Sequence, residues 1–143
     1  MNDDTRKLLK ECNSGCKMAV ESIDQVMNYA TDEHLIELLQ KQKQKHEELE
    51  AESEKLLMAA GCEGKEPGVM ASTFSWMTTE MKMMKDQDNR QISKIMMNGC
   101  NMGIQSISEY RNKYGNASRE ARELAKEIVK AEENFMIDLK RFL

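Results

Sequence analysis

Cys16, His46, Cys100 and Glu132 are the side chains from which this sequence could build a centre with chemistry of its own. Two thiolates, an imidazole and a carboxylate would suit one tetrahedral zinc ion, or iron less selectively. The same residues have plainer uses. Cysteine is small and often buried, and Gly15-Cys16-x-x-Ala19 and Gly99-Cys100-x-x-Gly103 each make a flat helix face that permits close backbone approach. His46 suits a hydrogen-bonded core histidine partnered by Glu132 or Gln42, and Glu132 can equally face solvent while Ala131 fills the core. Cys12 stands one helical turn from Cys16, a spacing with poor disulfide geometry. Cys62 falls in a connection, and His34 near a helix start reads as surface. The run of glutamates from Glu47 to Glu54 reads as a solvated face. No nucleophile with a base at readable spacing, no phosphate-cradling glycine loop and no paired acid and base stand out.

Whether the four residues meet depends on the elements that carry them. The 143 residues are 40% hydrophobic and 32% charged, with one proline and seven glycines; that is the size of one domain, residues 1–143, and a balance favouring helices over strands. The net charge of -4 is mild and both signs interleave, so no basic stripe offers itself to phosphates and nucleic acid is not an expected partner. No run of about 18 apolar residues occurs, so no membrane partner is expected either. The acidic start lacks the features of a signal peptide, which points to a cytoplasmic protein whose four cysteines are free thiols or metal ligands.

Apolar and small residues at steps of three and four mark four helices. The first seam runs Leu9, Cys12, Cys16, Ala19, Ile23, Val26, Ala30; the poor helix formers Asn13-Ser14-Gly15 predict that its first turns are separate or kinked. Thr31 or Asp32 caps the second, whose seam is Leu35, Leu39, Gln42, His46, Leu49, Ser53, Leu56, Ala60, ending at Gly61. Three glycines and Pro67 make residues 61 to 68 a connection, and a methionine stripe from Met70 to Met84, with Trp76 beside it, makes the rest of the link partly helical. The cluster Asp86-Gln87-Asp88-Asn89 breaks that stretch. The third helix follows with Ile92, Met96, Cys100, Gly103, Ile107 and Tyr110. Ser118 caps the fourth, with Ala121, Leu124, Ile128, Glu132, Phe135, Leu139 and Phe142. A helix rises about 1.5 Å per residue, so equal counts from a turn lie at equal heights. Folding back at residue 31 sets Cys16 level with His46, and folding back near residue 115 sets Cys100 level with Ala131 and Glu132. All four residues should share a middle layer.

The segment from Gly15 to Ile23 reappears from Gly99 to Ile107, with Gly, Cys, Met, Ser and Ile identical in place; two further residues in the second turn bring His46 onto Glu132 and Leu49 onto Phe135. Helices 1 and 2 thus match helices 3 and 4, and two such hairpins bury their faces against each other as a pseudo-two-fold bundle. The two flat faces should then meet. Hairpin, long connection, hairpin resembles the plan of the ferritin-like superfamily. The repeat and the final Asp138-Leu139-Lys140-Arg141-Phe142-Leu143 are similar to small bacterial ferritin-like proteins. The resemblance implies an all-α four-helix bundle. Its metal-binding members use two Glu-x-x-His motifs, and this sequence has none; Lys43 stands three residues before His46. The expected function is therefore a non-catalytic structural or protein-interaction module without a di-iron site or other cofactor, with Met70 to Met84 packing over the bundle as a cap or crossover, or serving as a surface for a homodimer or other protein partner. The competing reading is a metal-binding or redox protein that holds one zinc or iron on Cys16, His46, Cys100 and Glu132.

Overall fold

A computed structural model describes residues 1–62 and 88–143. Four helices, α1 (Asp3–Met27), α2 (Glu33–Ala59), α3 (Asn89–Lys113) and α4 (Arg119–Leu139), form an all-α bundle that closes with a 3₁₀ turn over Lys140–Phe142. Among the described residues there is no strand, and no helix is long and apolar enough to cross a membrane. The methionine stripe from Met70 to Met84 and Trp76 lie outside the described residues.

Each helix begins where a short polar side chain can take an orphan backbone N–H. Asn2, Asp32, Asp88 and Ser118 each accept from the first turn of α1, α2, α3 and α4 respectively. α2 stops at Ala59 rather than Gly61. Gly61 takes φ +76°, and Gly61 N–H and Cys62 N–H donate back to Met58 and Leu57 carbonyls, the paired bonds that close a helix on a left-handed residue. α1 runs unbroken through Asn13-Ser14-Gly15, against the expected kink. Asn13 is buried, and its Nδ2 donates to Ser53 Oγ on α2 at 2.9 Å. A satisfied buried hydrogen bond outweighs propensity penalties that are each below about 1 kcal/mol.

The ends fix the directions. The start of α1 is tied to the α3–α4 turn: Asn2 Nδ2 donates to Asn116 O at 2.8 Å, Asn116 N–H to Asp4 at 3.0 Å and Ser118 N–H to Thr5 Oγ1 at 2.7 Å. The α1–α2 turn is tied to the start of α3, where Asn89 Oδ1 accepts from Thr31 and Asp32 N–H at 3.1 Å each. α1 and α4 therefore run one way and α2 and α3 the other, and α2 ends at the opposite end of the bundle from where α3 begins. Among the described residues α1 packs on α2, α3 and α4, and α4 packs on α1, α2 and α3, whereas α2 and α3 make no extensive contact with each other.

The apolar core is in two pieces. One, toward the end that holds the α3–α4 turn, gathers Leu8, Leu9, Leu49, Leu57, Leu124 and Ile128; the other, toward the α1–α2 turn, gathers Val26, Leu35, Leu39, Ile92, Phe135 and Leu139. Leu57 takes the buried place that the seam gave to Leu56, because four residues past Ser53 lie closer to a full turn than three. Between the two pieces stand Gln42, His46 and Glu132, all buried.

Asn89 locks the end of the bundle with a third bond, Nδ2 to Thr31 Oγ1 at 3.0 Å. Asn89→Ala should lower stability by about 1–2 kcal/mol in urea unfolding, since solvent reaches the site and re-satisfies part of what is lost. An unchanged midpoint would show that this joint is not held by Asn89.

Candidate functional site

α2 presents His46 to the bundle interior because Leu39, Gln42, His46, Leu49 and Ser53 recur at steps of three and four along one face. α4 presents Glu132 from the opposite side, between Ile128 and Phe135 on its own buried face. His46 is 1% exposed and Glu132 7%, and His46 Nε2 forms an ion pair with Glu132 Oε1. The contact is one of close opposite charges, and among the described residues Nε2 has no hydrogen-bond partner. The second ring nitrogen, Nδ1, lies 3.1 Å from the Gln42 carbonyl one turn back. A carbonyl can only accept, so Nδ1 carries a proton; a carboxylate before Nε2 favours a proton there too. The ring is thus placed between two acceptors as an imidazolium. Gln42 completes the tie, its side-chain amide donating to Ala131 O on α4 at 3.3 Å.

Opposing effects set the titration of His46. Burial pushes its pKa down, but the closely paired Glu132 carboxylate, together with the Gln42 carbonyl, outweighs burial and leaves it above the ordinary value of 6.5. A folded pKa above the unfolded one means that the pair's stabilisation is full below about pH 6.5 and is lost as the pH rises through the raised value.

The cysteines of the layer are thiols. Burial, then the charge of Glu132 and a hydrogen bond to it, push the Cys100 pKa far up, and burial followed by the charges of Cys12, Glu132 and Glu50 does the same to Cys16. Cys12, one turn from Cys16, is pushed up to about 12 by burial and by Glu11. None of the three is a nucleophile at neutral pH. Cys62 is half-buried against the end of the core rather than freely accessible, and all four are unpaired.

The structure therefore brings the anticipated residues into one middle layer. Glu132 is its hub, contacting His46 directly and Cys100 through the thiol, with Cys16 close enough to feel its charge. Ala131 and Glu132 are both buried, so they are not alternatives. Among the described residues no group of three or more His, Cys, Asp and Glu side chains is arranged to hold a metal ion. Lys43, at the position where the resemblance asks for a glutamate, points away from the layer and pairs with Asp24 on α1 at 2.7 Å.

The two flat faces of α1 and α3 line one cavity of about 160 Å³, with His46 and Glu132 also in its wall. They come close at one point, where a Cβ on Gly15 would stand 3.5 Å from Ile107 Cδ1. At Gly103 the glycine is backed by the Glu132 side chain, whose Oε2 would stand 3.6 Å from a Cβ there. Sequence reasoning read the small residues as a packing surface, and their smallness alone does not distinguish contact from space.

No protein-family model matches the chain, and no curated protein matches it. Among solved structures its fold is similar to a "Crystal structure of DUF305 fragment from Deinococcus radiodurans", with a TM-score of 0.77 and 12% sequence identity over 98% of this chain and 95% of that one. At that identity the likeness concerns the fold alone.

Removing one member of the buried pair leaves the other charge without a partner, which costs about 3–5 kcal/mol, whereas apolar replacement of both is often near neutral. His46→Leu should therefore be strongly destabilising in urea unfolding, and His46→Leu with Glu132→Leu should recover most of the loss. Additive losses in the double variant would show that the two residues act separately.

Proposed function

We propose that this chain is a non-catalytic bundle of the ferritin-like kind, built of two repeated hairpins and serving as a structural or protein-interaction module without a di-iron site. The observation that carries the reading is that the chemistry-bearing side chains of the middle layer are engaged with one another. His46 lies between Glu132 and the Gln42 carbonyl, and the thiols of Cys16 and Cys100 are held protonated. A general base or nucleophile needs an unspent lone pair directed at a substrate. The ferritin-like reading draws support from α2 ending and α3 beginning at opposite ends of the bundle, as a long connection between hairpins requires, and from the likeness in fold over nearly the whole chain. A cytoplasmic setting, and a homodimer or other protein partner at Met70 to Met84, rest on sequence alone.

A second reading keeps Cys16, His46, Cys100 and Glu132 as ligands of a single zinc or iron ion. It is favoured by Glu132 lying within reach of both an imidazole and a thiol in one buried layer. Binding would need both thiols to lose protons that burial now retains, and His46 to give up its pair with Glu132.

Elemental analysis of protein purified without added metal, followed by anaerobic loading with ferrous ion, separates the two. The module reading expects neither zinc nor iron in stoichiometric amount and no ferroxidase activity. One zinc per chain would establish the second reading, and about two irons per chain would overturn the absence of a di-iron centre.

A further inference from the structure

We propose that the cavity between α1 and α3 is a binding site for a neutral, apolar molecule the size of a single aromatic ring. This goes beyond the module reading and does not depend on it. Volume sets the first limit. The cavity holds about 160 Å³, and an apolar cavity of about 150 Å³ in another protein stays dry and accepts benzene. Ala19 and Gly99 make room on the two helices, while Ile107 and Phe135 supply apolar wall. Met18, Met96 and Met102 complete it; their flexible thioethers adapt to the shape of an occupant and make favourable contacts with aromatic rings.

The polar groups of the wall decide the kind of occupant, because they are already spent. His46 and Glu132 are paired with each other, and the Cys100 thiol bonds to the same carboxylate. The Gln42 amide donates to Ala131 O at 3.3 Å, Ser22 Oγ donates to Met18 O at 2.8 Å, and Glu11 is engaged by the Tyr110 hydroxyl. Among the described residues the one enclosed side-chain nitrogen or oxygen without a hydrogen bond is His46 Nε2, which already faces Glu132. Ser14 is half-buried and Ser106 exposed, so solvent satisfies their hydroxyls. A buried water needs polar partners, and a buried ion needs a counter-charge; this wall supplies neither. A hydrocarbon ring asks for neither and gains by leaving water.

The test titrates toluene, benzylammonium and benzoate, three probes of similar shape, into the full chain with its thiols reduced and follows the methionine methyl resonances. Toluene should bind saturably and shift Met18, Met96 and Met102, but not Met58, which is 71% exposed and outside the lining. It should also raise the melting temperature as its concentration rises. The two charged probes should each bind at least about tenfold more weakly, since they would be stripped of water with no partner in return. Ala19→Leu, which fills the cavity from α1, should abolish the toluene shifts; Ser106→Leu, at an exposed position of the rim on α3, gives the same reading should Ala19→Leu not fold. Absence of saturation, shifts at Met58 equal to those at Met96, a charged probe binding as tightly as toluene, or undiminished toluene binding in the folded variant would each overturn the site.

Discussion

The ion pair between His46 and Glu132 is the constraint around which the bundle is organised. Two opposite charges buried at mid-length must be held together, because either alone is costly in an apolar interior. The pair joins α2 to α4, Gln42 adds a second tie between the same helices, and the apolar core is divided into one cluster on each side. A register shift of α2 against α4 by one turn would pull Glu132 from His46 and set it against leucines. The pair thus opposes sliding, which leucine and alanine faces alone resist weakly. Buried polar groups are best attested in this role of fixing register.

The same pair governs what else the layer can be. Burial first, and the charge of its negative member in addition, hold Cys100 and Cys16 protonated, so thiols that would be metal ligands or nucleophiles elsewhere act here as small buried side chains. Glu132 also needs space, and Gly103 provides it: the carboxylate lies against the face where any side chain on α3 would begin. The cavity between α1 and α3 follows from that economy of side chains. Helix pairs within each hairpin are closely packed, whereas the α1–α3 contact is narrow and bordered by glycine, alanine and serine.

Much of this was legible in the sequence because helices obey a fixed rise. Counting back from the turns at residues 31 and 115 placed Cys16, His46, Cys100 and Glu132 at one height, and capping chemistry located Ser118 and narrowed the start of α2 to Thr31 or Asp32, of which Asp32 is the cap. Alignment of the two halves put His46 on Glu132, and these are the residues that meet. The continuity of α1 was not legible, since Asn13 looks like a helix breaker until its partner Ser53, forty positions away, is known. Leu57 was missed because a seam stepped by three or four drifts over a long helix. The cavity was invisible for a different reason. Small residues specify that little fills a place, and only the paths of the neighbouring helices decide whether backbone or empty space takes it.

The central claim is that Glu132 holds His46 protonated in the interior. Following the His46 ring by nuclear magnetic resonance as a function of pH, in the native chain and in Glu132→Gln, tests it directly. The account predicts a midpoint above 6.5 with both ring nitrogens protonated below it, and a fall beneath that value in Glu132→Gln, where burial acts with no opposing charge. A native midpoint at or below 6.5, or one that Glu132→Gln leaves in place, would contradict it.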